Sequence, residues 1–262
     1  MSYRQETTIP YTPGQSSEFV PTTPLAGART AQASVDLRLD FGLPMSVCLH
    51  RARWSDADPL TGLAERLPHA LASVSAKRQR DFLMGRHCAG AALAEAGFAG
   101  PTWLPIGADK LPGWPDGWMG SISHAGQGAI AAVARRGSCG ILGVDMEQVI
   151  ADEVASGIWR SVARRDELEM LSVLGRQRGL TLLFSAKEAL YKALYPEVRS
   201  FFDFTAARAV ALDGRRLKLR LAVDWGTHWP IGTELSARFA FDDGYVYSVV
   251  YLDARDCARH EA

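Results

Sequence analysis

Between residues 74 and 96 the apolar positions recur at helical spacing. Phe82, Ala89, Leu93 and Ala96 form one stripe, and Gly97 stands where a C-cap belongs, so a helix is predicted over 74–96. Ser46 to Trp54 places Val47, Leu49 and Ala52 among polar residues, which predicts a strand. Gln127 to Arg135 reads as a strand with a small apolar face, and Ile141 to Glu147 as another. The Arg135-Arg136-Gly137 turn between them predicts an antiparallel hairpin. Helices are expected over 152–174 and 178–195, the second ended by Pro196. Farther on, Asp213-Gly214 and Asp243-Gly244 each separate a pair of β-prone runs, as hairpin turns do. Val246, Ser248 and Val250 alternate with Tyr245, Tyr247, Val249 and Tyr251, a strand of mixed burial. Residues 101–120 read as a Pro/Gly/Trp loop. Residues 1–36 carry Pro10, Pro13, Pro21 and Pro24 and are expected to be extended or partly disordered. Strands and helices occur in both halves without βαβ alternation, so the expected class is α+β.

Composition narrows the picture by exclusion. The 262 residues carry 29 basic and 29 acidic side chains, a formal net charge of zero, which argues against a generic nucleic-acid binder. No 18-residue stretch is predominantly apolar, and no apolar run follows a basic start, so neither a membrane span nor a secretory leader is expected. Four cysteines at 48, 88, 139 and 257 include no CxxC pair, and the six histidines include no HExxH. Reduced, buried thiols of a cytoplasmic protein are expected, without structural zinc.

Four segments could carry chemistry. In Gly143-Val144-Asp145-Met146-Glu147, the period of a strand turns Asp145 and Glu147 to one face. Two such charges repel by about 1–4 kcal/mol at 4–6 Å, and a hard divalent cation such as Mg²⁺ relieves that repulsion. The bland alternative is a strand end with hydrated carboxylates. In Phe184-Ser185-Ala186-Lys187-Glu188-Ala189-Leu190-Tyr191-Lys192, Glu188 and Lys192 share a helix face. They could serve proton transfer, metal or phosphate, or form an ordinary surface pair, and Ser185 with Glu188 also spells a capping box. In Gly120-Ser121-Ile122-Ser123-His124 the spacing is not that of a serine hydrolase elbow, whereas Ser123 and His124 can donate hydrogen bonds to a phosphate. A loop or strand edge with a solvated histidine is the plainer reading. Finally, Lys77 to Arg86 is a basic stretch in which Arg78 and Arg86 occupy one broad side of a helix, suited to phosphate or merely solvated.

In order, the chain reads GRHCAGAAL, LPGWPDGWMGSISH, GVDME and FSAKEALYKA. Together these resemble the 4′-phosphopantetheinyl transferases of the Sfp/EntD group, with GRxxA, WP-x-GSISH, G[IV]D-x-E and FS-x-KE-x-x-x-K at comparable spacing. The resemblance covers about residues 74 to 204 and continues into the C-terminal hairpins. No residue of these motifs is lost. The wording of Lys77–Arg86 and Lys192–Pro196 is similar to that of pseudomonad-type enzymes serving fatty-acid and secondary-metabolite carriers.

The resemblance implies two similar α+β subdomains related by a pseudo-two-fold axis, with coenzyme A (CoA) in the cleft between them. The corresponding division is an N-terminal segment 1–36, a subdomain 37–140 and a subdomain 141–262. It implies transfer of phosphopantetheine from CoA to a serine of an apo acyl, peptidyl or aryl carrier protein, by a cytoplasmic monomer. Asp145, Glu147 and Glu188 would hold Mg²⁺, with Mn²⁺ also accepted. Glu188 would be the base, and Lys187 and Lys192 would reach the pyrophosphate. Arg78, Arg86, Lys110, Ser123 and His124 would hold the nucleotide end, with Trp114 and Pro115 shaping its pocket. Arg160, Arg164 and Arg165 are candidate docking cations for an acidic carrier. The competing readings are a non-catalytic CoA- or nucleotide-binding protein on the same scaffold and a metal-dependent phosphohydrolase. The latter explains the carboxylates and lysines but not the order of all four motifs.

Overall fold

The computed structural model describes residues 41–55 and 62–257; the expectation for residues 1–36 lies outside them. Helices and strands are mixed, as the α+β reading expects. Strand β1 (Val47–Arg53) is followed by helix α1 (Ala76–Glu95) and strands β2 (Trp118–Ala125), β3 (Gly128–Arg135) and β4 (Cys139–Gln148). Helices α2 (Asp152–Val162), α3 (Arg165–Met170) and α4 (Arg176–Val198) come next. Strands β5 (Ala207–Asp213), β6 (Arg216–Leu221), β7 (Glu234–Asp242) and β8 (Tyr245–Asp253) follow, then a short α5 (Ala254–Cys257). The strands form two antiparallel sheets, ordered β1-β3-β2 and β4-β8-β7-β6-β5.

Three apolar clusters stack these elements into four layers: α1, first sheet, second sheet, α4. Ala129, Ala131 and Val133 of β3 pack under α1 with Leu83, Met84 and Leu93. Their neighbours Ile130, Ala132 and Ala134 face the second sheet and meet Val144, Met146 and Tyr247. Val246 and Val250, on the other face of β8, pack with Leu182, Ala186 and Ala189 of α4. Thus β3 is buried on both faces, not on the single small face expected, and β8 is buried from Tyr245 to Val250 rather than of mixed burial.

Local signals explain the α1 boundaries. Ser75 caps the start, its Oγ accepting from Arg78 N–H at 3.3 Å. At the end Gly97 takes a φ of 82°, Gly97 N–H bonds Ala94 O and Phe98 N–H bonds Leu93 O. That double closure needs a left-handed residue, which glycine provides cheaply. Both Asp-Gly turns form hairpins, β5–β6 and β7–β8; in the second, Asp243 and Gly244 both have positive φ. All four cysteines are buried, and none of them is in a disulfide.

Three expectations are corrected. No β3–β4 hairpin forms: β3 has both edges filled by β1 and β2, and β4 instead pairs with β8. The true hairpin is β2–β3, turning at Gly126 (φ 56°), while the 135–138 turn carries the chain into the second sheet. The expected helix 152–174 is broken at Ala163 and Arg164, both extended, and its last turn is 3₁₀. The break turns Glu167 inward. There its carboxylate accepts from Arg164 N–H and Ala209 N–H, both at 2.7 Å, and pairs with Lys187 at 3.0 Å. Lastly, α4 runs through Pro196 to Val198 and stops at Arg199, whose φ is 55°. A proline in the last turn forfeits only one intrahelical bond, so packing carries the helix past it.

Candidate active site

The edge strands β2 and β4 of the two sheets lie side by side, and the candidate site is built on that seam. Alternation along β2 sorts the Gly120–His124 motif to two sides. Ser121 and Ser123 face β4, while Ile122 and His124 face α1. Two glycines allow this packing: a Cβ on Gly85 would strike Ile122, and one on Gly120 would strike the Trp114 ring and the Ala132 carbonyl. A third, Gly143 on β4, lies against the Ala189 carbonyl and Ala193, letting α4 settle directly onto the strand.

At the centre, Asp145 is 1% exposed. Its Oδ1 accepts from the Ser123 hydroxyl at 2.8 Å and from Lys192 Nζ at 2.6 Å, and Lys192 also donates to Ser123 Oγ at 2.9 Å. Ser121 Oγ accepts from Val144 N–H at 3.0 Å, satisfying a backbone donor of the edge strand. Glu147 leaves β4 on the same side as Asp145, and Glu188 stands one helical turn before Lys192.

The carboxylates sense one another. Burial, then the charges of Asp145 and Glu188, outweigh Lys192 and push Glu147 up to about 8. Glu188 is raised by burial and by Asp145 against the pull of Lys192. Burial works to lower Lys192, but Asp145, Glu188 and Glu147 together keep it above the ordinary lysine value. Three oxygen-donor side chains gathered around the Lys192 ammonium are a donor set fitted to a hard divalent cation. Among the described residues, no three His, Cys, Asp or Glu side chains already form a closed metal cage.

A pH dependence follows. Because the folded Glu147 pKa lies above the ordinary value of 4.5, its contribution to stability is present below 4.5 and is lost as pH rises through about 8. In cation-free buffer the melting temperature should therefore decline over that range. Added Mg²⁺ should raise it more at pH 8 than at pH 6. Thermal melts with and without the cation check this, and an equal response at both pH values would contradict it.

Beside this cluster lies a basic corner. His124 Nε2 is 3.3 Å from Arg78 Nη1, and Nδ1 is 3.5 Å from Asp81 Oδ2. Asp81 is itself buried and takes a bond from Lys77 at 2.7 Å. Burial lowers the His124 pKa, Arg78, Lys192 and Lys77 lower it further, and Asp81 opposes them. With its pKa lowered the ring carries a single N–H near pH 7; Arg78 can only donate to Nε2, so that N–H is on Nδ1, facing Asp81.

Ser123, Asp145 and Lys192 are in direct contact, Glu147 and Glu188 are coupled to them by charge, and Arg78 and His124 adjoin. Three expected residues are placed differently. Lys187 does not reach this cluster: it is buried on the far side of α4, donating to Val162 O and Phe204 O at 2.9 Å each and pairing with Glu167. One residue along a helix rotates a side chain by about 100°, so Lys187 and Glu188 diverge. Arg86 is 6% exposed, donates to Leu104 O at 3.1 Å and lies over the Phe82 ring; burial brings it down to about 10. Lys110 is exposed, with φ 64°, on a loop that neighbouring Asp109 ties to Arg199 at the end of α4 (2.5 Å). Asp81, to which the motif reading gave no role, is a further residue of this corner; its signal was a single acid in a basic stretch, four residues after Lys77. Ser121, quoted within its motif but given no role, holds a backbone N–H of β4.

Known proteins match across both sheets. The 4′-phosphopantetheinyl transferase N-terminal domain matches residues 67–134, and the 4′-phosphopantetheinyl transferase superfamily matches residues 141–250. Enterobactin synthase component D of Salmonella typhimurium is 36% identical over 159 residues, 59% of this chain and 65% of that protein. The chain thus spans just under two thirds of that relative's length. The 4′-phosphopantetheinyl transferase Npt of Nocardia iowensis is 37% identical over 140 residues, 53% of this chain and 62% of that protein. The 4′-phosphopantetheinyl transferase PptT of Mycobacterium tuberculosis is 33% identical over 209 residues, 76% of this chain and 89% of that protein. With both sheets matched and the carboxylate–lysine cluster set on the seam between them, the chain belongs to the 4′-phosphopantetheinyl transferase superfamily.

Proposed function

We propose that the chain transfers the 4′-phosphopantetheine arm of CoA to a serine hydroxyl of an apo carrier protein, releasing adenosine 3′,5′-bisphosphate. The observation that carries this reading is the Asp145–Ser123–Lys192 contact with Glu147 and Glu188 beside it, one strand residue away from His124 and Arg78. Carboxylates that bind a cation and cations that bind phosphates are then adjacent, as a pyrophosphate substrate requires.

In the reaction the carrier serine oxygen forms a bond to the β-phosphorus of CoA, and the bond from that phosphorus to the bridging oxygen breaks. Glu188, whose carboxyl burial and Asp145 raise above the ordinary value, takes the serine proton. Lys192 donates hydrogen bonds to the pyrophosphate oxygens as charge shifts to the leaving group. Arg78, with His124 beside it, holds the 3′-phosphate end. Mg²⁺ or Mn²⁺, held by Asp145, Glu147 and Glu188, would supply neutralisation of the phosphate charge. Arg160, Arg164 and Arg165 are exposed on α2 and at the start of α3, where an acidic carrier could dock; Arg164 already faces Asp166 at 3.7 Å. Fatty-acid, siderophore and other secondary-metabolite carriers are the candidates, and a cytoplasmic monomer fits the reading. Among the described residues no helix is long and apolar enough to cross a membrane.

The test mixes the protein with CoA, Mg²⁺ and several apo acyl and peptidyl carriers, and weighs the carriers by intact mass spectrometry. A gain of one phosphopantetheine supports the proposal. No gain on any carrier sinks it, and CoA hydrolysis without labelling would point to the phosphohydrolase. For the nucleotide end, His124→Ala should weaken CoA about tenfold or more, a charge-assisted bond's share, and leave dephospho-CoA nearly unchanged. Equal weakening of both ligands, measured by calorimetry, would remove His124 from the 3′-phosphate.

A further inference from the structure

Three buried side-chain oxygens have no hydrogen-bonding partner among the described residues and belong to neighbouring positions of the site: Asp145 Oδ2, Ser185 Oγ and Ser248 Oγ. The register of the second sheet sets Ser248 directly opposite Asp145, so both side chains leave the sheet on the same face. That face is the one α4 covers, because Gly143, on the same side two residues earlier, lies against Ala189 and Ala193. Helix α4 runs antiparallel to β4: Ile150 N–H bonds Thr181 Oγ1 at 3.2 Å near one end, and Gly143 meets Ala189 and Ala193 near the other. Asp145 and Glu147 therefore lie at the level of Ser185 to Ala189. Ser185 shares its side of the helix with Ala189 and Lys192, four and seven residues on. Register and helix phase thus direct the three side chains toward the wedge between β4, β8 and α4, and their residues are 1%, 0% and 0% exposed.

Three such groups, one an ionised acceptor and two hydroxyls, can be met together by one small polar molecule. A water can donate to Asp145 Oδ2, donate to one serine and accept from the other, the three bonds a buried water typically makes. We propose that one internal water occupies this wedge and that Ser185 and Ser248 are positioning residues, holding the Asp145 carboxylate in the orientation that Glu147 and Glu188 need as co-ligands. This rests on the metal-binding role within the proposed function. Oxygen partners behind a ligating carboxylate fix its rotamer, and their loss commonly weakens metal binding about 10–100-fold. Ser185 lies within a motif in which only its capping potential was read, and Ser248 lies outside all four motifs.

The test uses the full chain without CoA or carrier. Mn²⁺ affinity is read from free-ion electron paramagnetic resonance, alongside thermal melts. Ser248→Ala and Ser185→Ala are each expected to weaken Mn²⁺ about tenfold or more, with the melting temperature unchanged or raised, which a merely structural role would not produce. A high-resolution crystal structure should show one water within hydrogen-bond reach of all three oxygens. Unchanged Mn²⁺ affinity in both variants, or oxygens bonded directly to one another, overturns the proposal. Loss in one variant alone overturns the shared water. If the wild type binds no Mn²⁺, the metal reading itself falls and this inference with it, whereas wild-type binding with insensitive variants refutes only the water.

Discussion

Glu188→Gln is expected to slow phosphopantetheine transfer by about 10²–10⁴-fold or more, the range spanned by a general base. The substitution keeps the shape of the side chain and removes both its basicity and its charge. It also relieves some of the repulsion that raises Glu147, so the folded protein should lose no stability. Single-turnover labelling of an apo carrier, followed by intact mass, measures the rate, and a thermal melt checks the fold. A folded Glu188→Gln protein that labels its carrier at the wild-type rate would remove Glu188 from the chemistry and leave the proton to solvent or to the carrier itself.

The second large effect is on stability and concerns a buried residue pair set away from the carboxylate cluster. Glu167 and Lys187 are 1% and 4% exposed at the side chain and satisfy each other together with two backbone N–H groups and two backbone carbonyls. Breaking such a pair from one side leaves a buried charge unmet, at about 3–5 kcal/mol. Glu167→Ala should therefore lower the melting temperature by roughly 10 °C. Lys187→Met should do the same, because it strands the Glu167 carboxylate. The double replacement Glu167→Leu with Lys187→Met should recover some of the loss, since no charge is then left alone. Additive losses in calorimetric melts would contradict the coupling. Any fall in transfer rate from Lys187→Met should track unfolding. A folded, stable Lys187→Met protein with a collapsed rate would return Lys187 to the pyrophosphate.

The regions of the fold that were legible are those set by near neighbours in sequence. Ser75, Gly97 and the two Asp-Gly turns act within a few residues, so α1 and the C-terminal hairpins follow from local chemistry. The failures share one cause. The Arg135-Arg136-Gly137 turn looks like a hairpin loop, but both edges of β3 are already occupied by β1 and β2. The 152–174 stretch has helical composition and breaks anyway, because Glu167 gains a buried cation 20 residues away in sequence. Pro196 is a stop signal that the packing of α4 between sheet and solvent overrides. In the site, Asp145 with Glu147 and Glu188 with Lys192 could be grouped in advance, because strand and helix periods decide which side chains share a face. Lys187 and Lys192 look alike as lysines flanking Glu188; nothing local says that one faces the seam and the other the core.

Sequence by itself determined the ingredients: the α+β class, the four motifs in their order, the paired carboxylates and a charge balance hiding separated acidic and basic groups. Those are properties of spacing and residue type, fixed by the periods of strand and helix. Tertiary structure decided the assignments. Only the meeting of β2 and β4 brings Ser123 to Asp145, only the seating of α4 on Gly143 places Lys192 on the same carboxylate, and only the break before Arg165 withdraws Lys187 into the core. Contacts between groups 20 to 70 residues apart depend on which faces the packing buries, and burial is settled by the whole chain at once.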